Sequence, residues 1–306
     1  MRIAVLCNDR LGIPALQWLA QNRLLLAAGT SDRSPEMIGI MQQISAQAAV
    51  PSRIFTKENF ETQLTEWLTQ YRPDVVIVKT FPFRIPKSVL NIPKHGFINF
   101  HYAPLPQWRG SNPLFWMIRN GIETGGIAVH RMNEKFDRGP LLLQQEVQFV
   151  PESTFGMCST QLAYAGAQLT QVLLNQLPAV LREIPQAEEQ AKWYGRPKPS
   201  DLFINWNEMQ AKEICALVRA CNPWQKGAAT RINNWTMGIS DASVCSGLQV
   251  TDTPPGTILA LSEAEGCVIA CTNSNAVKAE VIYTEEGFFS AKQLIRFGIQ
   301  KGMRFE

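Results

Sequence analysis

Short apolar runs alternate with amphipathic stretches along the first half of the chain. The runs RIAVLC, LLLAAGT, DVVIVKTF and GFINFHYA have the length and composition of buried strands. Between them, GIPALQWLAQN, PEMIGIMQQISAQAA and FETQLTEWLTQY place apolar residues at helical spacing. Because strands and helices take turns in this way, we predict an α/β fold with a parallel sheet and helices on both faces.

The second half of the chain has a different pattern. Two strand-like runs, GGIAVHRM and LLLQQEVQFV, lead into a long helical pattern from Thr154 to about Leu181. Further along, one helical stretch, NEMQAKEICALVRAC, is followed by short β-type runs separated by Gly, Pro, Asn and Asp. Several short strands with such turns predict a small β-barrel-like domain.

A linker separates these two patterns. The segment EIPQAEEQAKWYGRPKPS, residues 183–200, is charged, contains prolines and lacks periodicity. We therefore predict a first domain over residues 1–184, a linker over residues 185–202 and a second domain over residues 203–306.

The charge balance differs between the two halves of the chain. Residues 1–184 hold 17 Lys and Arg against 13 Asp and Glu, whereas the remainder holds 12 against 13. Binding to a phosphate backbone needs clustered Lys and Arg. The second half, with a net charge of −1, therefore lacks the basic surface of a typical nucleic-acid-binding domain.

Cysteine usage and the N-terminal segment indicate the compartment. The segment MRIAVLCNDR predicts an opening strand and not a signal peptide, and no apolar run approaches the roughly 18 residues of a membrane span. Seven scattered cysteines, an odd number, favour free thiols. We therefore expect a cytoplasmic protein with no membrane partner.

Metal and dinucleotide sites are not indicated by the sequence. Cys267 and Cys271 are four residues apart, but all three histidines precede residue 131, so we expect no metal site. The first strand is followed by CNDRLGIP, which has one glycine and not the three of a dinucleotide-binding turn. We therefore expect no nicotinamide or flavin dinucleotide.

Two polar residues interrupt the apolar strand in FINFHYAPLPQWRG. Asn99 and His101 are two positions apart, so their side chains project from the same face of the strand. In open parallel sheets, ligands bind beyond the carboxyl ends of the strands, which is where His101 lies. The pair is a candidate site; a capped strand end with satisfied polar groups is the alternative.

A carboxylate follows 36 residues later, in FDRGPLL. Asp137 precedes Arg138-Gly139-Pro140, a sequence that on its own predicts only a turn. It gains interest from His101, because an imidazole that moves protons is usually oriented by a third group, and a carboxylate does this well.

Taken together, these motifs resemble the folate-dependent formyltransferase family. That family shows Asn-x-His, a Pro-x-x-Arg-Gly-x-x-Pro loop, a Glu-Thr-Gly turn and an Asp-x-Gly after it, and all four stand here in order. The resemblance covers nearly the whole chain, from the opening strand to GMRFE. It implies a formyltransferase-type (Rossmann-like) sheet domain and a C-terminal OB-type domain.

The resemblance implies that Asn99, His101 and Asp137 carry the catalysis. In such a reaction an amine attacks the formyl carbon of 10-formyltetrahydrofolate. Asn99 and His101 can donate hydrogen bonds to the developing oxyanion. The amine proton can be taken or relayed by an imidazole or a carboxylate, and the sequence leaves open whether His101 or Asp137 is the formal base.

The same resemblance implies where the folate and the acceptor bind. The pterin is expected near KTFPFRIP, with Phe81, Phe83, Arg84 and Ile85 as candidate contacts, and no metal is implied. Packing in the core is the alternative role for the two phenylalanines. Candidates to line the acceptor pocket are Tyr102, Trp108, Arg109 and Asn112, with Arg109 best suited to a phosphate or carboxylate. Ser111 or Asn112 before Pro113 also predicts a helix start.

The acceptor amine is the open question. Methionyl-tRNA formyltransferases in this family carry a basic insertion after the second strand, whereas AAGTSDRSPEMIGIMQQ holds one Arg and no Lys. On this ground we expect a small-molecule acceptor, such as a sugar nucleotide or an amino acid or siderophore-type amine, and we expect tRNA not to be a partner. The alternative is methionyl-tRNA; a second alternative is a binding protein that has lost catalysis.

Overall fold

The chain forms two compact units. The computed structural model describes residues 1–177, 179 and 182–306. The first unit comprises Met1–Pro113, Thr124–Gln148 and Ser159–Tyr194, and the second comprises Leu114–Glu123, Phe149–Cys158 and Gly195–Glu306. Two segments of the second unit thus precede the predicted linker, and the boundaries predicted from the sequence stay a prediction.

A seven-stranded sheet forms the centre of the first unit. The strands of this unit are β1 (Ile3–Cys7), β2 (Leu25–Ser31), β3 (Ser52–Phe55), β4 (Val75–Lys79), β5 (Phe97–His101), β6 (Arg109–Gly110), β7 (Thr124–Arg131), β8 (Leu141–Gln148) and β9 (Trp193–Tyr194). The sheet order is β3-β2-β1-β4-β5-β7-β8. The first five strands in this order run parallel, while β7 is antiparallel to β5 and to β8.

Helices connect the parallel strands, as the alternating pattern predicts. They are α1 (Ile13–Gln21), α2 (Pro35–Ala48) and α3 (Phe60–Tyr71). Every residue of β1 and β4 is buried, because strands in the middle of a parallel sheet are covered on both faces. The predicted Rossmann-like sheet domain is confirmed.

Two features of the first unit position the candidate site. β5 ends at His101, and β4 beside it ends at Lys79, so both side chains lie at the carboxyl edge of the sheet. In addition, β6 and β9 form a small parallel pair that joins the loop after β5 to the segment before residue 195.

The second unit contains a six-stranded antiparallel sheet. Its strands are β10 (Ala228–Ile232), β11 (Trp235–Val244), β12 (Ile258–Ser262), β13 (Gly266–Ala270), β14 (Ala276–Thr284) and β15 (Gly287–Ser290). The order is β10-β11-β14-β13-β12, and β15 pairs with β14. An antiparallel β domain therefore follows the α/β domain, as the short β-type runs predict.

The remaining helices are α4 (Pro113–Arg119), α5 (Phe155–Gln176) and α6 (Ala211–Cys221). α4 begins at Pro113, the helix start that the sequence predicts. The predicted end of the long helix at about Leu181 lies outside the described residues, and α5 is helical as far as Gln176. In the described part of the chain, no helix combines the length and apolar character needed to cross a membrane.

Candidate active site

The two polar residues of β5 occupy one face of the strand. Asn99 is half-buried and His101 is 7% exposed. On the neighbouring strand, Val78 is paired with Asn99 and Lys79 with Phe100. Because side chains alternate along a strand, Asn99 and His101 project to one face and Lys79 projects to the other.

His101 is held by one main-chain and one side-chain partner. Its Nε2 donates a hydrogen bond to the carbonyl oxygen of Trp108 at 2.6 Å. Its Nδ1 lies 3.6 Å from Oδ1 of Asp137, whose side chain is 13% exposed. Because a carbonyl oxygen can only accept, Nε2 carries the hydrogen of the Trp108 contact, and Nδ1 faces the Asp137 carboxylate.

Asp137 is fixed by the backbone around it. Its φ angle is +53°, in the left-handed region that aspartate tolerates better than most residues. Its Oδ2 accepts a hydrogen bond from the Gly110 amide at 3.0 Å. At Gly139 a Cβ atom would lie 1.7 Å from the Arg131 carbonyl oxygen, so this turn requires glycine.

A second histidine, His130, completes the cluster and was missed by sequence reasoning. It lies opposite Asn99 across the antiparallel β5–β7 pair. Its Nε2 is 3.1 Å from Nδ2 of Asn99 and 3.9 Å from Oδ1 of Asp137. The apolar run GGIAVHRM predicts a strand but does not predict which strand pairs with it. No signal in the sequence therefore indicates that the His130 imidazole lies beside Asn99.

Burial decides the protonation state of His130. The side chain is 2% exposed, and this burial lowers the pKa of His130 to about 4, with Asp137 opposing the shift. The imidazole is therefore neutral at pH 7. Its Nδ1 donates to the Arg131 carbonyl oxygen at 3.2 Å, so its Nε2 accepts a hydrogen from the Asn99 amide.

The candidate folate contacts divide into buried and exposed side chains. Phe83 and Ile85 are 7% and 2% exposed and belong to a core cluster with Phe60, whose ring centroid is 5.2 Å from that of Phe83. Phe81 is half-buried against the same cluster. Arg84 is exposed and donates to the Glu134 carbonyl oxygen. Contact between these residues and a pterin stays a prediction.

The candidate acceptor contacts are also engaged within the chain. The Tyr102 hydroxyl, on a side chain 4% exposed, donates to the Leu11 carbonyl oxygen at 2.9 Å. Trp108 stacks on Tyr194 with ring centroids 4.4 Å apart.

Arg109 is 2% exposed, and its guanidinium donates to Gln186 and Glu188. Asn112 is half-buried directly before α4. An acceptor anion at Arg109, as the sequence predicts, would have to compete with Gln186 and Glu188.

Lys79 lies on the opposite face of the same strand pair. Its side chain is fully buried, with Nζ 3.4 Å from the centroid of the Phe100 ring and 3.4 Å from the Gly166 carbonyl oxygen. Burial lowers the pKa of Lys79 to about 7. In the described residues, no group of three or more His, Cys, Asp or Glu side chains could hold a metal ion.

This arrangement can serve an acyl transfer. An amide that donates hydrogen bonds stands beside an imidazole–carboxylate pair at a strand end, and these are the groups that stabilise an oxyanion and move a proton.

Comparison with known proteins identifies the family. Residues 31–173 match the family model described as formyl transferase, and residues 197–292 match the one described as formyl transferase, C-terminal domain. The methionyl-tRNA formyltransferase of Aromatoleum aromaticum is 32% identical over 236 residues, which are 76% of this chain and 72% of that protein.

Two solved structures share the fold at low sequence identity. HypX from Aquifex aeolicus, in complex with tetrahydrofolic acid, has a TM-score of 0.64 at 18% identity over 96% of this chain. The match spans 47% of HypX, so this chain has about half its length. An N-formyltransferase from Helicobacter canadensis has a TM-score of 0.67 at 13% identity, over 91% of this chain and 98% of that one. With both formyl transferase models and the 32% identical relative, the chain belongs to the folate-dependent formyltransferase family.

Proposed function

We propose that Asn99, His101 and Asp137 catalyse formyl transfer from 10-formyltetrahydrofolate to a primary amine. The observation that carries the proposal is their convergence at the end of β5. Nδ1 of His101 is 3.6 Å from Oδ1 of Asp137, and Nε2 of His130 lies 3.1 Å from Nδ2 of Asn99 and 3.9 Å from Oδ1 of Asp137. The family of the chain supports the folate donor. The HypX structure is a complex with tetrahydrofolic acid, and the Helicobacter canadensis structure is a complex with folinic acid and dTDP-3-aminofucose.

Asn99 has the donor chemistry that a formyl oxygen requires. The amide of Asn99 carries two hydrogens on Nδ2, and one of them is directed to Nε2 of His130 at 3.1 Å. The second is left for the formyl oxygen, where negative charge develops during the transfer. His130 therefore acts through Asn99, by fixing the orientation of its amide.

His101 and Asp137 handle the proton. 10-Formyltetrahydrofolate supplies the formyl group. The amine nitrogen of the acceptor bonds to the formyl carbon and loses a proton, which the His101–Asp137 pair accepts and returns to the departing folate nitrogen. Since Nε2 of His101 is committed to the Trp108 carbonyl, the proton resides on Nδ1 or on the Asp137 carboxylate.

For the acceptor, the aminoacyl end of methionyl-tRNA is the first candidate. Its support is the 32% identical relative from Aromatoleum aromaticum, whose name specifies that substrate. The sequence argument against tRNA rests on a connection without the basic insertion and on the net charge of the second half, and neither excludes individual contacts to tRNA elsewhere on the chain. We infer a cytoplasmic setting for this reaction, in agreement with seven free cysteines.

A small amine, such as a nucleotide-linked aminosugar, is the second candidate, favoured by the connection between β2 and α2. Only Asp32, Arg33 and Ser34 lie between these elements. The Arg33 guanidinium lies over the Phe83 ring at 4.9 Å, and nearby Arg10 is paired with Glu36. Both arginines thus have intramolecular partners, whereas a tRNA backbone would need them as phosphate contacts.

Direct competition between the two acceptors tests this proposal. Purified enzyme, 10-formyltetrahydrofolate, methionylated initiator tRNA and a panel of nucleotide-linked aminosugars are combined at physiological salt. We expect formylation of the tRNA, with uncharged tRNA as the control that gives no product. Formylation of an aminosugar, with tRNA untouched, would establish the second candidate. No formyl transfer to either acceptor, or equal transfer by His101→Ala, would overturn the assignment of the site.

A further inference from the structure

Arg109 is a buried cation whose charge is compensated from a distant segment. Its Nη1 and Nη2 each donate to the Glu188 carboxylate at 2.9 Å, and its Nε and Nη2 donate to Oε1 of Gln186 at 3.2 and 2.7 Å. Gln186 and Glu188 belong to the stretch that the sequence predicts as a plain linker. A guanidinium held at four hydrogen bonds has a fixed orientation.

The peptide groups on either side of Arg109 contact the two proton-handling residues. The carbonyl of Trp108 accepts from His101, and the amide of Gly110 donates to Asp137. The position of the Arg109 backbone therefore determines how His101 and Asp137 lie relative to each other. A shift of this backbone would move both contacts together.

Gln186 also contacts the Asp137 turn directly. Its Nε2 donates to the carbonyl oxygens of Asp137 and Gly139, both at 2.8 Å. Its amide thus makes four hydrogen bonds: two accepted by Oε1 and two donated by Nε2, which uses both amide hydrogens. One side chain therefore joins the loop after β5 to the turn that carries Asp137.

From these contacts we infer that Gln186 and Glu188 are positioning residues for formyl transfer. Glu188 fixes the Arg109 guanidinium, and Gln186 ties that guanidinium to the backbone of the Asp137 turn. Together they hold His101 and Asp137 at the separation that proton transfer needs. The inference rests on the proposed catalytic role of those two residues.

Two substitutions separate the contact of Gln186 with Arg109 from its contact with the Asp137 turn. Gln186→Ala removes both contacts. Gln186→Glu keeps an acceptor for Arg109 but loses the two hydrogens directed at the carbonyl oxygens of Asp137 and Gly139. We expect Gln186→Ala to lower kcat by roughly 30-fold and Gln186→Glu by roughly 10-fold, with the KM for donor and acceptor within threefold, because small displacements of reacting groups cost this much.

Position 188 should tolerate substitution without unfolding of the protein, since the Glu188 side chain is 56% exposed. We expect Glu188→Ala to lower kcat by about 5-fold to 10-fold and Glu188→Gln to recover most of this loss, because an amide oxygen can still accept from Arg109. Glu189→Ala, which removes the exposed neighbouring carboxylate, is the matched control and should match the wild type.

The readouts distinguish positioning from a general loss of stability. Each variant is measured for kcat, KM, the pH profile of kcat and the midpoint of thermal unfolding, alongside Asp137→Asn. The inference requires a lower kcat with a displaced pH profile in a folded protein. It is overturned if Gln186→Ala and Glu188→Ala keep kcat within twofold while Asp137→Asn is inactive. Full activity in Asp137→Asn would instead overturn the proposed catalytic site.

Discussion

His101 and Lys79 end neighbouring strands of one sheet, and both are buried, yet their surroundings differ in kind. His101 has a carbonyl at 2.6 Å and a carboxylate at 3.6 Å. Lys79 has an aromatic face and one carbonyl at 3.4 Å, and burial lowers its pKa to about 7. One edge of a sheet can thus hold an imidazole that faces a carboxylate on one side and a lysine with few polar partners on the other.

Removing His101 or Asp137 should have the largest effect. We expect His101→Ala and Asp137→Asn to lower kcat by about 100-fold or more, because each removes a group that moves the amine proton. Steady-state formyl transfer measures this. Glu134→Gln, a change in an exposed ion pair with Lys87, serves as the control. An active His101→Ala enzyme would contradict the assigned mechanism.

Because His130 is buried in its neutral form, the folded protein should lose stability at acid pH. The pKa of His130 is about 4 in the folded chain and about 6.5 in an unfolded one. The unfolded chain therefore binds an extra proton between these values, so the free energy of unfolding should fall by roughly 3 kcal/mol as the pH drops from 6.5 to 4. Denaturant titrations of wild type and His130→Gln measure it, and an identical pH dependence in the two proteins would speak against a neutral, buried His130.

Replacing Lys79 with an apolar residue should raise the free energy of unfolding. Below pH 7 the folded protein keeps a charge in an apolar site, and this cost is relieved as the pH rises from 7 towards 10.5. We expect Lys79→Met to raise the free energy of unfolding by roughly 2 kcal/mol at pH 6, after the loss of the contact with Phe100, and by less at pH 9. A destabilised Lys79→Met protein at pH 6 would show that the cation is better compensated than its contacts indicate.

Substitution of Tyr102 should have the smallest effect on stability. It also tests whether Tyr102 packs beside Lys79 or lines the acceptor pocket near His101. Its hydroxyl donates to the Leu11 carbonyl, and its ring lies 5.7 Å from the Lys79 ammonium. We expect Tyr102→Phe to lower the free energy of unfolding by about 1 kcal/mol, measured by chemical denaturation. A higher KM for the acceptor, with unchanged stability, would instead support the sequence prediction that Tyr102 lines the acceptor pocket.

The sequence was sufficient for the parts of the site that depend on local pattern. Strand–helix alternation places Asn99 and His101 at the carboxyl end of a strand, and the Asn112–Pro113 pair marks the start of α4. Apolar runs do not encode strand direction, however. The antiparallel β5–β7 pairing, which sets His130 beside Asn99, could therefore not be predicted from the sequence.

Arg109 shows a second limit of sequence reasoning. The sequence predicts Arg109 as a contact for an acceptor anion, which stays a prediction, but it does not report that the side chain is buried. Its partners, Gln186 and Glu188, lie in the aperiodic, charged segment whose composition predicts a linker. Burial of a charge depends on long-range pairing, and no local pattern reports it.

The separation between Arg109 and its partners has a consequence for the timing of synthesis. Glu188, which carries the counter-charge, follows Arg109 by 79 residues, and at synthesis rates of about 5–20 residues per second those residues take roughly 4 to 16 seconds to make. His101 and Asp137 are both made before Glu188, so a nascent chain can carry these two residues while Arg109 still lacks its counter-charge. The contacts that fix the Arg109 guanidinium can therefore form only after Gln186 and Glu188 have been synthesised.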